Sequence, residues 1–162
     1  MIIWLASYPQ SGNNFVRSLL SSYIFSQDGI FDSKLIENID LFPNNPLFEQ
    51  LGVNTDDKDE MYKNYINSQK ILNKKDSIMF LKTNSCFVNT DKFKFTDRHN
   101  TLGVIYIVRD PRNIIPSHSQ DFKITEEQSS KYLLSETFLG QESRTHCTTY
   151  LGSWKNHYNS WK

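Results

Sequence analysis

Residues 6–15 read Ala-Ser-Tyr-Pro-Gln-Ser-Gly-Asn-Asn-Phe, and this stretch joins two segments of different apolar pattern. An apolar run precedes it and a stretch of 3.6-residue apolar periodicity follows it, so it predicts the end of a strand, a tight turn and the start of a helix. Such a turn directs free backbone N–H groups and the positive end of the helix dipole at one place, where an anion binds. Ser11, Asn13 and Asn14 add side-chain donors there. The stretch therefore predicts a site for a ligand that carries a phosphate.

Strand and helix signals alternate along the chain. Short apolar runs predict buried strands at residues 2–6, 78–81 and 103–108. Periodicity and capping signals predict helices at 14–26, at 55–75, after the N-cap Asp110, from the capping box at 125–128 to a stop at Gly140, and at 152–162. Region 27–52 contains Pro43 and Pro46 and is expected to be irregular. This order predicts an α/β fold with a parallel sheet, and 162 residues suffice for one domain over residues 1–162.

Two of these helices have a recognisable apolar face. In helix 14–26 the 3.6-residue spacing places these side chains on one face: Phe15, Val16, Leu19, Leu20, Tyr23 and Ile24. Helix 55–75 has an acidic start and a basic end that includes Lys70, Lys74 and Lys75, as the helix dipole favours. Its expected core-facing residues are Met61, Tyr62, Tyr65, Ile66 and Leu72.

The composition excludes several classes of partner. Lys plus Arg equals Asp plus Glu at 18 each, so no overall charge attracts nucleic acid or an anionic membrane. Cys86 and Cys147 are the only cysteines, which makes neither a disulfide framework nor a zinc set. The first residues lack a basic segment, and no apolar run reaches the length of a membrane span. We therefore expect a cytoplasmic protein without a metal, a membrane or nucleic acid as partner.

A second anion-binding signal follows the third predicted strand. Arg109 stands at the end of that strand, and Ser117 lies about two helical turns later. Because ligands bind at the carboxyl ends of the strands in parallel α/β sheets, Arg109 is expected beside the first turn, with its planar fork toward a phosphate. The alternative is a surface ion pair between Arg109 and Asp110 or Asp121. The sequence contains neither G-x-x-x-x-G-K-[ST] nor G-x-G-x-x-G, which argues against a nucleoside triphosphatase or kinase-like P-loop protein and against a dinucleotide-binding protein.

These segments together resemble the sulfotransferases that use 3′-phosphoadenosine 5′-phosphosulfate (PAPS). The 5′-phosphosulfate loop of that family reads Tyr-Pro-Lys-Ser-Gly-Thr/Asn-Thr-Trp, and residues 8–15 here read Tyr-Pro-Gln-Ser-Gly-Asn-Asn-Phe. Residues 105–117 resemble the family's 3′-phosphate motif, with Arg109 and Ser117 at the family's spacing. Residues 82–84 match its Lys-Thr-His segment, and the closing Gly-Ser-Trp-x-x-His-x-x-Ser-Trp is similar to a mid-domain segment of bacterial members.

The resemblance implies a fold, a ligand and a reaction. The implied fold is a parallel sheet of the P-loop-NTPase type flanked by helices. The implied reaction transfers a sulfuryl group from PAPS to a hydroxyl or amine of a small-molecule or glycan acceptor. The residues at the family's PAPS-binding positions are Ser11, Gly12, Asn13, Asn14, Phe15, Arg109 and Ser117, and those at its catalytic positions are Lys82, Gln10 and Asn84.

Three departures from the family pattern bear on activity. The loop Lys is Gln10, the base His is Asn84, and the Arg-Lys-Gly loop that closes over the nucleotide is not in the sequence. Losing a general base lowers a rate by roughly 10²–10⁴, and losing a key electrostatic group by roughly 10²–10³. The alternative is thus an impaired relative or fragment that binds PAPS or its desulfated product, adenosine 3′,5′-bisphosphate (PAP), without turnover.

Two further expectations follow from these departures. His118 and His99 are the candidate replacement bases, although a lone His is more often a polar surface residue. The missing closing loop predicts an incomplete sulfotransferase domain, and its open core edge predicts self-association.

Overall fold

Four strands form one parallel sheet in the computed structural model, which describes residues 1–73, 77–89, 93–140 and 147–162. They are β1 (Ile2–Ser7), β2 (Asp40–Leu41), β3 (Met79–Thr83) and β4 (Thr101–Ile107). Their order in the sheet is β2-β3-β1-β4, and every pairing is parallel. The expected α/β fold with a parallel sheet flanked by helices is confirmed. Because Ala6 pairs with Thr83 and Ser7 with Ile107, the loops after β1, β3 and β4 leave the sheet at the same edge.

Seven α-helices and one 3₁₀ helix (Ser33–Asn38) surround this sheet in the part of the chain that the structure describes. The α-helices are α1 (Asn13–Phe25), α2 (Asn45–Gln50), α3 (Lys58–Lys63), α4 (Tyr65–Leu72), α5 (Pro111–Phe122), α6 (Glu126–Leu134) and α7 (Trp154–Ser160). Within the described ranges, no helix is long and apolar enough to cross a membrane.

The predicted helix 55–75 is two helices, because Asn64 separates α3 from α4. The Asn64 side chain donates to the Glu60 carbonyl at 2.9 Å, a local bond that competes with regular helix geometry. Met61 and Tyr65 are buried, as the apolar spacing predicts. Lys74 and Lys75, the expected basic end of this helix, lie outside the described residues.

Two other boundaries differ from the sequence-based predictions. Region 27–52 contains the 3₁₀ helix, β2 and α2, and α2 forms because the Asn44 side chain accepts a bond from the Leu47 N–H at 2.9 Å. The capping box at Thr125 and Gln128 is confirmed at the start of α6. That helix ends at Leu134 with a Ser135 C-cap, so the prediction that it stops at Gly140 is wrong.

The apolar face that the spacing predicts on α1 turns toward solvent. Phe15 is 75 % exposed, Leu19 60 % and Tyr23 85 %. The residues of α1 that are buried against the rest of the protein include Ser21 and Ser22, whose small side chains permit close approach of the helix. Periodicity therefore identified a face of α1 but not the side on which the helix packs.

Among the described residues, two clusters of apolar side chains form the core. The larger one contains Trp4, Phe42, Phe48, Tyr65 and Phe95, whose rings contact one another mainly edge-on or tilted. The smaller one is formed by Tyr8, Ile114, Leu133 and Leu151. This smaller cluster joins the loop after β1 to α5 and α6, so it fixes both helices relative to that loop.

Candidate functional site

The loop between β1 and α1 presents an open helix N-terminus. Gln10 and Gly12 have positive φ angles of 63° and 92°, and the left-handed conformation at Gly12 favours glycine. No side chain in the described part of the chain caps α1, and its first intrahelical bond runs from the Val16 N–H to the Gly12 carbonyl at 3.2 Å. The N–H groups of residues 13–15 therefore have no intrahelical acceptor and point toward the loop. This geometry suits an anion.

Ser11 contributes a buried hydroxyl group to this loop. Ser11 is only 7 % exposed, and its Oγ is buried without a hydrogen-bond partner among the described residues. An unpartnered buried hydroxyl costs about 1–3 kcal/mol. A phosphate or sulfuryl oxygen at the N-terminus of α1 would accept this bond and remove that cost. The residues of the loop thus fit the phosphosulfate group that the sequence predicts there.

Arg109 joins the two predicted phosphate-binding segments. Its Nη1 donates to the Gln10 carbonyl at 2.8 Å and to the Ser117 Oγ at 3.2 Å. The alternative ion pairs do not form among the described residues, because Asp110 pairs with Arg112 and Asp121 accepts a bond from the Gln10 side chain. The guanidinium therefore lies against the loop, between the N-terminus of α1 and the first turns of α5.

The three other predicted nucleotide-binding residues of α1 face different directions. The Asn13 side chain points inward, where its Nδ2 donates to the Leu5 carbonyl and the Ser7 Oγ, both at 3.0 Å. The Asn13 side-chain donor is therefore used within the protein, and its backbone N–H is the donor that can bind a ligand. Asn14 and Phe15 are exposed, and the Phe15 ring can stack on a base.

The two substituted catalytic positions are held by neighbouring groups. The Gln10 side chain donates to the Asp121 carboxylate on α5. The Asn84 Nδ2 donates to the Ser7 carbonyl at 2.8 Å and to the Ser7 Oγ at 3.1 Å. Neither amide can take a proton from a substrate at neutral pH. Gln10 thus joins the loop after β1 to α5, and Asn84 joins the ends of β3 and β1, so neither side chain supplies a base.

Lys82 is a cation without a charged partner in the described part of the chain. It lies in β3 opposite Leu5 of β1, one residue before the strand ends. Burial, and secondarily the positive charge of Arg17, lower the pKa of Lys82 from 10.5 to about 8. A partly buried ammonium group without a counter-ion favours an anionic ligand, since such a ligand restores the charge balance.

A cavity of about 500 Å³ opens beside Lys82. Its walls are mainly apolar, and they include Leu41, Phe42, Phe122, Tyr132, Phe138 and Leu151. Thr149 adds a hydroxyl group to the lining, and three nitrogen-bearing side chains also line it, namely Lys82, Asn84 and His118. The arrangement suits a small molecule with an apolar body and one polar group directed at these three residues.

His157 supports the site, although the sequence analysis predicts no role for it beyond its place in the closing segment. Its Nε2 donates to the Asn84 carbonyl at 3.0 Å, so its Nδ1 accepts from the Tyr106 hydroxyl at 2.7 Å. Burial lowers the pKa of His157 to about 4, which keeps the ring neutral at pH 7. This contact joins α7 to β3 and β4, and no short-range sequence signal indicates it.

Comparison with known proteins agrees with this geometry. A protein-family model described as "Sulfotransferase domain" matches residues 2–162. A search of curated proteins finds no match.

Proposed function

The chain belongs to the sulfotransferase domain family, and on that premise we propose that it binds PAPS and transfers the sulfuryl group to an acceptor in the cavity. The observation that carries the proposal is the contact of Arg109 with both Gln10 and Ser117, because it joins two separate phosphate-binding segments into one site. Adenosine carrying a 3′-phosphate and a 5′-phosphosulfate has two anionic groups that match these two segments.

Each part of the ligand has a group to receive it. In this proposal the N–H groups at the start of α1 and the Ser11 hydroxyl bind the 5′-phosphosulfate. Arg109 and Ser117 bind the 3′-phosphate, and the exposed Phe15 ring stacks on the adenine. Lys82 stands where the cavity begins, and its ammonium group stabilises negative charge on sulfuryl oxygens. PAPS supplies the activated sulfuryl group, and the protein aligns it with the acceptor.

The cavity favours an acceptor with an apolar body. Its aromatic and aliphatic walls offer few partners for the many hydroxyl groups of a glycan. A phenol or an aliphatic alcohol buries apolar surface there at about 25 cal/mol per Å² and presents a single hydroxyl to the polar side chains. Of the acceptors that the sequence leaves open, we therefore propose the small apolar alcohols.

Binding without turnover is the second candidate function. It is favoured by the amide side chains at positions 10 and 84, which replace the family's leaving-group cation and its base. Both candidates require the nucleotide site, and they differ in whether any sulfuryl group leaves it.

Calorimetric titration with PAP tests the nucleotide site that both candidates share. We expect Arg109→Gln to weaken binding by roughly 10- to 100-fold, because a hydrogen bond to a charged group contributes about 1.5–3 kcal/mol. The matched control is Arg112→Gln, which removes an arginine whose side chain is 87 % exposed and paired with Asp110. Absence of PAP binding by the unmodified chain, or equal losses in both variants, would refute the proposed site.

A transfer assay separates the two candidates. Labelled PAPS is incubated with 2-naphthol, an aliphatic alcohol or a disaccharide, and labelled product is separated from PAPS. Transfer to 2-naphthol or the alcohol supports the transferase. PAP binding without transfer to any of the three supports the binding protein.

A further inference from the structure

We propose that His118, oriented by Ser129, accepts the proton of the acceptor hydroxyl in place of the base that position 84 lacks. The inference rests on the proposed function, because it concerns the same cavity and the same transfer. Three observations carry it: the tautomer that the hydrogen bonds impose on His118, the packing that fixes its ring, and its place in the cavity wall.

The hydrogen bonds of Ser129 define the tautomer. The Ser129 Oγ lies 3.1 Å from the Ile115 carbonyl and 3.1 Å from the His118 Nδ1. A carbonyl oxygen only accepts, so the single hydroxyl hydrogen of Ser129 is directed at Ile115. The Ser129 oxygen must then accept the hydrogen of Nδ1. The Nε2 of His118 consequently carries a lone pair, which is the form that takes a proton.

The ring of His118 is held by packing. It is 2 % exposed, and the rings of Phe122, Tyr132 and Phe138 lie with their centroids 4.5, 6.0 and 6.0 Å from its own. No described residue hydrogen-bonds to its Nε2. A base with a fixed ring and an open nitrogen needs little reorganisation when a substrate arrives.

His118 shares the cavity wall with Lys82 and Asn84. An acceptor whose hydroxyl lies beside Nε2 is thus in the same space as the cation proposed for the sulfuryl group. In the proposed reaction the base lies on α5 instead of at the end of β3. Both positions line the same cavity, so an acceptor bound there can reach the base on α5. This placement explains how a chain with Asn84 can retain proton transfer.

Burial of the His118 ring favours its neutral form at pH 7. Burial lowers its pKa below the usual 6.5, and the Asp121 carboxylate on α5 opposes this in part. Among the described residues, the other titratable groups that contact the ring or line the same cavity are Tyr132 on α6, Lys82 and Cys147. A neutral imidazole is the form that a general base requires.

In the proposed step, the acceptor oxygen gives its proton to Nε2 of His118 and forms a bond to sulfur. The bond between sulfur and the 5′-phosphate oxygen breaks, and that oxygen keeps the electron pair as part of PAP. The imidazolium then returns its proton to water.

The tautomer can be measured without any substrate by long-range ¹H–¹⁵N correlation of the histidine rings. We expect Nδ1–H for His118 and the opposite form, Nε2–H, for His157, which donates to the Asn84 carbonyl. His157 is thus an internal reference, and His99→Gln assists assignment. Ser129→Ala should abolish the preference at His118 alone. A protonated Nε2 on neutral His118 in the unmodified chain would overturn the inference.

Kinetics test the role of the lone pair. With labelled PAPS and 2-naphthol we expect His118→Gln to lower kcat by roughly 10²–10⁴ and to lose the acidic limb of the pH–rate profile. His99, the other candidate base from the sequence, is exposed and does not line the cavity, so His99→Gln should change neither kcat nor the pH–rate profile and serves as the control. PAP affinity should be unchanged in both variants. Full activity in His118→Gln would overturn the inference.

The outcomes also separate this inference from the proposed function. If the unmodified chain does not bind PAP, the proposed function fails whatever the tautomer is. If PAP binds but 2-naphthol, an aliphatic alcohol and a disaccharide are not sulfated, the base role fails and binding without turnover stands. If His118→Gln does not fold, the tautomer in the unmodified chain and the kcat of Ser129→Ala, expected to fall with an altered pH profile, decide the question.

Discussion

Replacing Lys82 by methionine should make the protein more stable and less able to bind its ligand. The pKa of Lys82 falls from 10.5 to about 8 because the side chain is buried and Arg17 is close. At about 1.4 kcal/mol for each pKa unit, this fall corresponds to roughly 3 kcal/mol that disfavours charged Lys82 in the folded protein. Methionine has an unbranched, uncharged side chain one atom shorter than that of lysine, so Lys82→Met should raise the free energy of unfolding at pH 7 by up to that amount.

The dependence on pH gives the sharper test. Between pH 8 and 10.5 the unfolded chain binds the Lys82 proton more tightly than the folded protein does, so the free energy of unfolding increases with pH in this window. From pH 7 to pH 9.5 the increase due to Lys82 is about 2 kcal/mol by this linkage. Lys82→Met should lack that increase. Lys155→Met, at an exposed position of α7, should retain it.

Urea unfolding followed by tryptophan fluorescence at pH 7 and pH 9.5 measures both quantities. The reasoning would be refuted if the free energy of unfolding changed by the same amount between the two pH values in the unmodified chain and in Lys82→Met. The lysine would then be solvated in the folded state. A destabilised Lys82→Met at pH 7 would refute it too, since it would mean that the ammonium has a stabilising partner.

Ligand binding should reverse the effect of burial on Lys82. An anionic group beside the ammonium raises its pKa, so binding of PAPS at pH 8.5 takes up a fraction of a proton. Calorimetry in two buffers of different ionisation enthalpy measures that fraction. The uptake should disappear in Lys82→Met, and an equal uptake in both proteins would assign the proton to another group.

Two further predictions concern positions next to this site. Gln10→Lys should raise kcat with labelled PAPS and 2-naphthol by roughly 10²–10³, because it restores a cation at the leaving oxygen; Gln10→Met is the control, and equal rates in the two would contradict the prediction. Tyr106→Phe should lower the free energy of unfolding by about 1–3 kcal/mol in urea, because the buried Nδ1 of His157 loses its donor. Tyr158→Phe removes a hydroxyl from the ring stacked on Trp154, and an equal loss in that variant would contradict the reason given.

The anion-binding loop could be predicted from the sequence because its determinants are local. A buried strand, a turn with Gly12 and a periodic stretch define the open start of α1 within about a dozen residues. Arg109 required one further rule, that the carboxyl ends of parallel strands share an edge, and the contact of Arg109 with Gln10 follows from that rule.

Features that depend on packing could not be predicted in the same way. The apolar spacing of α1 is compatible with either a buried or an exposed face, and Phe15 and Tyr23 show that the polar side packs inward. Asn13 has the same side-chain chemistry as Asn14, yet its amide turns into the sheet to bond Leu5. A single residue, Asn64, interrupts what periodicity indicates as one helix, because its side chain bonds the preceding turn.

The role proposed for His118 depends on both a local sequence feature and the packing of two helices. The position of His118 one residue after Ser117 is visible in the sequence, but the function as a base that we propose for it depends on Ser129, which belongs to another helix. The smaller core cluster brings α5 and α6 together and so sets both the tautomer and the place of His118 in the cavity wall. Asn84 bonds Ser7 and holds the end of β3 against β1. A histidine that acted as the base at this position would have to face the substrate instead of Ser7. Moving the base to α5 therefore allows the end of β3 to remain rigid throughout the proposed reaction.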